Sequence, residues 1–184
     1  MKSAKPHVSA RGGVAGFTLL EVLISIVVIA FGMLGVAGLQ AFALKNGQSA
    51  SLRSVATVLA SDMIDRMHAN PVGATDGRYD EGGTNGVAAK LIPACLAAGC
   101  TNPSELAQHD LAEWKAAIAA ALPNATAIVC LDSEIGTDAS KKEGDTTICD
   151  RAGTQYVVYI WWRDDRNRGT AAGTLGRFAT QFHI

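Results

Sequence analysis

From residue 22 to residue 44 this chain carries no charged side chain, and the residue just before that run is a glutamate, Glu21. The run is 23 residues long, above the ~20 that a helix needs to span a hydrocarbon core. Such a length of apolar sequence predicts a helix anchored in a membrane. A carboxylate at the edge of that run is costly wherever it must enter the bilayer, so Glu21 calls for a partner. Gly32, Gly35 and Gly38 punctuate the segment. Each costs about 1 kcal/mol of helix propensity relative to alanine, which marks a stretch able to loosen or to pack closely. No proline interrupts it.

Residues 1–16 hold Lys2, Lys5 and Arg11 and no acid, like the positive region of an export signal. An ordinary secretory signal is cut after its apolar stretch. Here the small-residue site, Gly16-Phe17, lies before it, so cutting would leave the anchor on the mature chain. The basic flank predicts a cytoplasmic leader with the remainder translocated. Gly16-Phe17-Thr18-Leu19-Leu20-Glu21 behind this leader resembles the class III signal of type IV pilins and their relatives. The resemblance implies cleavage between Gly16 and Phe17 by a prepilin peptidase and N-methylation of Phe17. It also implies that Glu21 becomes the fifth mature residue, the carboxylate used in assembly.

The chain has 184 residues. Without a sixteen-residue leader it can form one anchored domain, not two ordinary ones. Loss of the leader's three cations takes the formal charge from −1 to −4, 13 basic against 17 acidic residues. That balance gives no electrostatic footprint for nucleic acid. All four cysteines, Cys95, Cys100, Cys130 and Cys149, lie beyond the apolar run. On the exported side an even number reads as disulfides, and four allow three pairings. Pairing of neighbours, Cys95 with Cys100 and Cys130 with Cys149, is favoured. Zinc is the competing reading, against which the loose spacing and the scarcity of nearby histidines speak.

The first helix need not stop at the membrane. Leu52, Val55, Leu59, Met63 and Met67 recur every three or four residues, an apolar helical stripe. Asn70-Pro71 is a stop signal, because the residue before proline is pushed out of the helical region. A helix from about Phe17 to Ala69 is expected. The domain plan is therefore a leader at 1–16, a long helical segment at 17–70 with its membrane span at 22–44, and a head at 71–184. Residues 71–94 read as loop, with Gly82-Gly83-Thr84-Asn85-Gly86 the clearest loop signal. Asn102-Pro103-Ser104-Glu105 reads as a capped helix start. It is followed by the stripe Ala107, Leu111, Trp114, Ile118 and Leu122, with Pro123 as the stop. Residues 127–131 and 155–162 carry strand signals, and 177–184 is a plausible third strand. Between the first two strands, 132–150 is expected to be a polar surface loop. Residues 163–169 read as a charged turn.

Motifs for catalysis are lacking. Asp132, Glu134, Asp138, Asp145 and Asp150 do not follow the spacing of a calcium loop, so solvated loop charge is expected. Asp164 and Asp165 are flanked by Arg163 and Arg166, which points to local ion pairing. His7, His68, His109 and His183 fall in separate elements and accompany no recognisable nucleophile motif. No enzymatic activity, cofactor or metal is expected.

The resemblance extends further. Gly35-Val36-Ala37-Gly38-Leu39-Gln40, Arg53-Ser54 and Leu59-Ala60-Ser61-Asp62-Met63-Ile64-Asp65-Arg66-Met67-His68-Ala69-Asn70-Pro71 are similar to the minor pilin family called type IV pilus modification protein PilV. So are Gly99-Cys100-Thr101, Leu106-Ala107, Asp110-Leu111, Glu113-Trp114 and Trp162-Arg163-Asp164. This likeness implies an α+β, type IV pilin-like fold: a long N-terminal helix packed on a small antiparallel sheet of three or four strands. An additional helix, about 103–122, comes before the sheet. It implies a single-pass inner-membrane protein with a periplasmic head. Its partners would be the prepilin peptidase, other minor pilins and the major pilin. A type II secretion pseudopilin shares the N-terminal block and is the alternative. A membrane-anchored DNA-uptake receptor, using Arg163, Arg166, Arg168 and Arg177 as a basic strip, is a second one, diluted by Asp164 and Asp165.

Overall fold

The computed structural model describes residues 16–133, 135, 148–164 and 174–184. Several positions weighed above lie outside them: Lys2, Lys5, His7 and Arg11 of the leader, Glu134, Asp138 and Asp145, and Asp165, Arg166 and Arg168. The described elements run α1 (Leu19–Ala69), α2 (Pro71–Thr75), α3 (Pro93–Ala98), α4 (Pro103–Ala121), β1 (Thr126–Leu131), β2 (Tyr156–Asp164) and β3 (Thr174–Phe182). The architecture is α+β and pilin-like, with a long N-terminal helix, a small antiparallel sheet and an additional helix, α4, before it. The described residues divide after Asn46 into two units, the second being Gly47–Ile184.

In the second unit α1 buries Ala56, Ala60, Met63 and Met67. Leu52, Val55 and Leu59 pack at the flank and are only partly buried. The predicted stripe is thus rotated toward two alanines. The reason stands on α4: Trp114 is fully buried in the same core, and its indole N–H donates to the Leu59 carbonyl at 2.7 Å. A ring that reaches helix backbone needs small neighbours, and alanine has the smallest side chain with good helix propensity.

Asn70 ends α1 and starts α2. Its side-chain oxygen accepts from Gly73 N at 3.2 Å, with Pro71 in the first turn. Its amide nitrogen donates to the Pro103 carbonyl at 2.8 Å and to the Tyr79 hydroxyl at 3.1 Å. The cap of α4 is as expected: Asn102 accepts from Glu105 N at 2.9 Å. Glu105 reaches back to Thr101 N at 3.2 Å, one residue further than a standard capping box. The buried face is Ala107, Leu111, Trp114 and Ile118, and Leu122, just past the helix, is buried too.

The sheet order is β1-β2-β3, antiparallel throughout, with Thr126 opposite Trp161 and Tyr156 opposite Phe182. From Tyr156 to Trp162 every residue of β2 is buried, which explains an unbroken apolar run rather than an alternating one. Tyr156, Val158, Ile160 and Trp162 join the core built with α1 and α4. Val157, Tyr159 and Trp161 join a separate cluster with Ile128, Cys130, Ile148 and Cys149. β3 begins at Thr174, three residues earlier than expected. Gly176 lies opposite Trp162, and a Cβ there would meet the indole at 2.3 Å. Glycine at that position lets the ring lie across the strand.

Residues 71–94 depart from the loop expectation. Besides α2 and the start of α3, they place Tyr79, Asp80 and Glu81 in the interior. Glu81 N donates to the Val129 carbonyl at 2.9 Å, and Val129 N donates back to the Glu81 carboxylate at 3.0 Å. Leu131 N donates to Asp80 Oδ1 at 3.1 Å. These two acids therefore occupy the outer edge of β1, an edge that would otherwise offer open backbone groups to another chain. Lys115 pairs with Glu81. Disulfides join Cys95 to Cys100 and Cys130 to Cys149.

Candidate functional site

The strongest candidate is the N-terminal motif. Gly16, Phe17 and Thr18 precede the helix, and Phe17 is 83% exposed. Among the described residues, an added Cβ at Gly16 would meet no atom within 4 Å. Thr18 closes the helix start, its Oγ1 accepting from Glu21 N at 3.2 Å and its carbonyl from the same N–H at 3.0 Å. Glu21 stands in the first turn. A carboxylate there gains about 0.3–1 kcal/mol from the helix dipole. Ser25 donates to the Glu21 carbonyl at 2.7 Å, which satisfies a polar side chain within the helix itself. From Leu19 to Leu44 every side chain is exposed, including Leu23, Ile26, Phe31, Leu34 and Phe42. This helix is long and apolar enough to cross a membrane.

Residues 11–37 match the family described as the prokaryotic N-terminal methylation motif. The chain carries a prepilin-type N-terminus. The match includes Gly16, Phe17 and Glu21 and supports a type IV pilin-like protein, pilin or pseudopilin. It implies processing by a prepilin peptidase and a pilus context, and together with the apolar helix it fits membrane anchoring. No curated protein and no solved structure matches the chain.

The other candidate residues are dispersed. Asp150 accepts from Ser133 N at 3.0 Å and Ala152 N at 2.7 Å, and from the Ser133 hydroxyl. The Ser133 hydroxyl bond, with the two backbone bonds, lowers its carboxyl to about 2. It is a turn-forming acid. Asp132 accepts from the Tyr159 hydroxyl at 2.7 Å. Among the described residues no group of three or more histidine, cysteine or acidic side chains could hold a metal. Arg163 and Arg177 sit on adjacent strands, opposite Leu175 and Trp161 respectively. His68 lies against Phe182, with ring centres 6.3 Å apart, and His183 is on the exposed C-terminal end.

One constellation is absent from the sequence reading. Arg66, near the end of α1, bonds Asp62 at 3.0 Å, Glu113 at 2.9 Å and Asp110 at 3.4 Å. Asp110 also accepts from the Tyr79 hydroxyl at 2.5 Å. Burial pushes the Asp110 carboxyl up, against the pull of Tyr79 and Arg66. The Arg66 bond holds Glu113 down. The i,i+4 pairs Asp62/Arg66 and His109/Glu113 were visible signals. Their convergence was not, because Arg66 and Glu113 are 47 residues apart.

Proposed function

We propose that this chain is a minor type IV pilin that helps prime and assemble the pilus at the inner membrane after prepilin cleavage and N-methylation. The observation that carries the reading is the methylation-motif match over residues 11–37, continuous with an exposed apolar helix. The Asp62–Asn70 block, part of the likeness to type IV pilus modification protein PilV, and the two cysteine pairs favour the pilus over secretion. A type II secretion pseudopilin would carry the same N-terminal motif and is the alternative. In this reading the protein is no enzyme. It crosses the membrane once, with the leader cytoplasmic and the head periplasmic. Its partners are the prepilin peptidase, other minor pilins and the major pilin, with no nucleic acid.

The mechanism is assembly by charge pairing. Cleavage after Gly16 creates a cationic, methylated amine on Phe17. In a low-dielectric setting a carboxylate and an amine attract far more strongly than in water. Glu21 would draw the amine of a neighbouring subunit, or its own, and so fix axial register during insertion. Mass spectrometry of membrane-extracted protein should find a methylated Phe17. A mature start beyond residue 39 would mean an ordinary signal peptide and remove the reading. In a null strain complemented with Glu21→Gln, processed protein should accumulate normally while sheared pili decrease. Full piliation would show that the charge is dispensable. Loss of secretion with intact pili would select the pseudopilin.

A further inference from the structure

His109 is buried on α4, and both its ring nitrogens are engaged. Ile92 N lies 3.1 Å from Nδ1. A backbone N–H can only donate, so Nδ1 must offer a lone pair. Nε2 lies 3.3 Å from Glu113 Oε1, which places the single ring hydrogen on Nε2. The two contacts together require the neutral imidazole in one tautomer.

We propose that His109 is an acid-released latch, holding the Cys95–Cys100 loop to α4 only while its imidazole is neutral. A protonated ring carries hydrogen on both nitrogens. Nδ1–H would then face the Ile92 N–H, donor against donor, and the bond would be lost. Either the ring turns away or the segment at Leu91 and Ile92 shifts. A second backbone tie joins that segment to α4, Lys90 N to the Gln108 carbonyl at 3.0 Å. Leu91 is 57% and Leu96 72% exposed, so little burial holds the loop. Closed by Cys95–Cys100, it would move as a unit and displace those two apolar side chains.

The charges around His109 decide how readily it takes a proton. On α4, Glu113 and Asp110 attract it. From α1, Arg66 opposes it, and Arg66 is itself bonded to Asp62. From the turn after α2, Tyr79 contributes a neutral hydroxyl bonded to Asp110. From the latched segment itself comes only Lys90. Arg66 holds the Glu113 carboxyl low, so Glu113 keeps its charge in mild acid. The carboxylate is thus present to stabilise imidazolium when acid arrives.

The test is hydrogen exchange on the full-length protein in detergent, at pH 7.5 and pH 5.0, with rates corrected for intrinsic exchange. Protection of the peptide spanning residues 88–100 should fall about fivefold in acid, the equivalent of one lost hydrogen bond, while the β2 amides do not change. His109→Asn places an amide oxygen where Nδ1 lies and cannot protonate. It should keep protection at both pH values. His109→Phe should lack it at both. Nitrogen chemical shifts of His109 in the wild type give a reading independent of any variant. They should show the Nε2–H tautomer at neutral pH and imidazolium appearing together with the loss of protection. Unchanged protection in acid, equal acid loss in His109→Asn, or an imidazole that stays neutral at pH 5.0 would each overturn the latch.

Discussion

β2 buries both of its faces, but by different means. On one, Tyr156, Val158, Ile160 and Trp162 meet Met63, Met67, Leu111, Trp114 and Ile118 of the two long helices. Polar atoms there are matched: Trp114 N–H to the Leu59 carbonyl, the Tyr156 hydroxyl to the Ala74 carbonyl at 2.7 Å, and Tyr79 to Asp110. On the other face, Val157, Tyr159 and Trp161 lie under a smaller cluster closed by Cys130–Cys149. Tyr159 and Trp161 stack with ring centres 5.6 Å apart, and among the described residues the buried Trp161 N–H finds no hydrogen-bond partner. Among the described residues the first face joins a larger apolar cluster with matched polar groups, and the second joins a smaller cluster with a covalent bond.

Removing that bond should be the largest single blow to the second face. Replacing both Cys130 and Cys149 by alanine frees a closure of separation 19, worth about 3 kcal/mol in the chain-entropy model. Denaturant titration in detergent should show a loss of that size. Tryptophan emission should shift red while helical circular dichroism persists. A loss below about 1 kcal/mol would mean that the second face stands without its covalent closure.

Two tryptophan substitutions sharpen the contrast. Trp114→Phe removes a hydrogen bond and opens a gap in the core that Trp114 shares with Ala56 and Ala60, and should cost about 2 kcal/mol. Trp161→Phe opens a similar gap but also removes a buried donor with no acceptor among the described residues. Relief of that penalty, about 1–3 kcal/mol, should leave the net change within about 1 kcal/mol of zero. Equal losses at the two positions would show that polar satisfaction does not distinguish the faces.

The smallest effect is expected in alkali. Burial, with the charge of Asp80 behind it, pushes the Tyr156 phenol up to about 12. The fold therefore favours the protonated phenol. That contribution is whole below the ordinary tyrosine value of about 10 and is lost as the pH rises toward about 12. Tyr156→Phe should be less stable than wild type by about 1 kcal/mol at pH 7, for want of the Ala74 bond. The deficit should shrink above pH 10. A deficit constant with pH would place the alkaline sensitivity elsewhere.

Much of this was legible because it is local. The charge-free run and the Gly16–Glu21 block define the N-terminal motif without reference to any other part of the chain. Asn70-Pro71 ended α1, and Asn102-Pro103 with Glu105 began α4, since caps and prolines act within a few residues. β2 was visible as a dense β-branched and aromatic run. The short helices α2 and α3 were missed because five or six residues carry too little periodicity to rise above a loop composition.

What only the tertiary structure decided lies in contacts between distant residues. The stripe of α1 pointed to its large side chains, yet Ala56 and Ala60 are buried with Met63 and Met67 while Leu52, Val55 and Leu59 are only partly so, in a core that Trp114 enters from α4. Asp80 and Glu81 fall in a stretch that reads as loop and instead close the edge of β1. Arg66, Tyr79, Asp110, Glu113 and His109 each looked ordinary where they stood. A side chain's periodicity and capping chemistry depend on its near neighbours in the chain, so the sequence by itself determines elements and the N-terminal signal. Burial, edge closure and the protonation state of a histidine depend on what packs opposite, and only the folded chain supplies that.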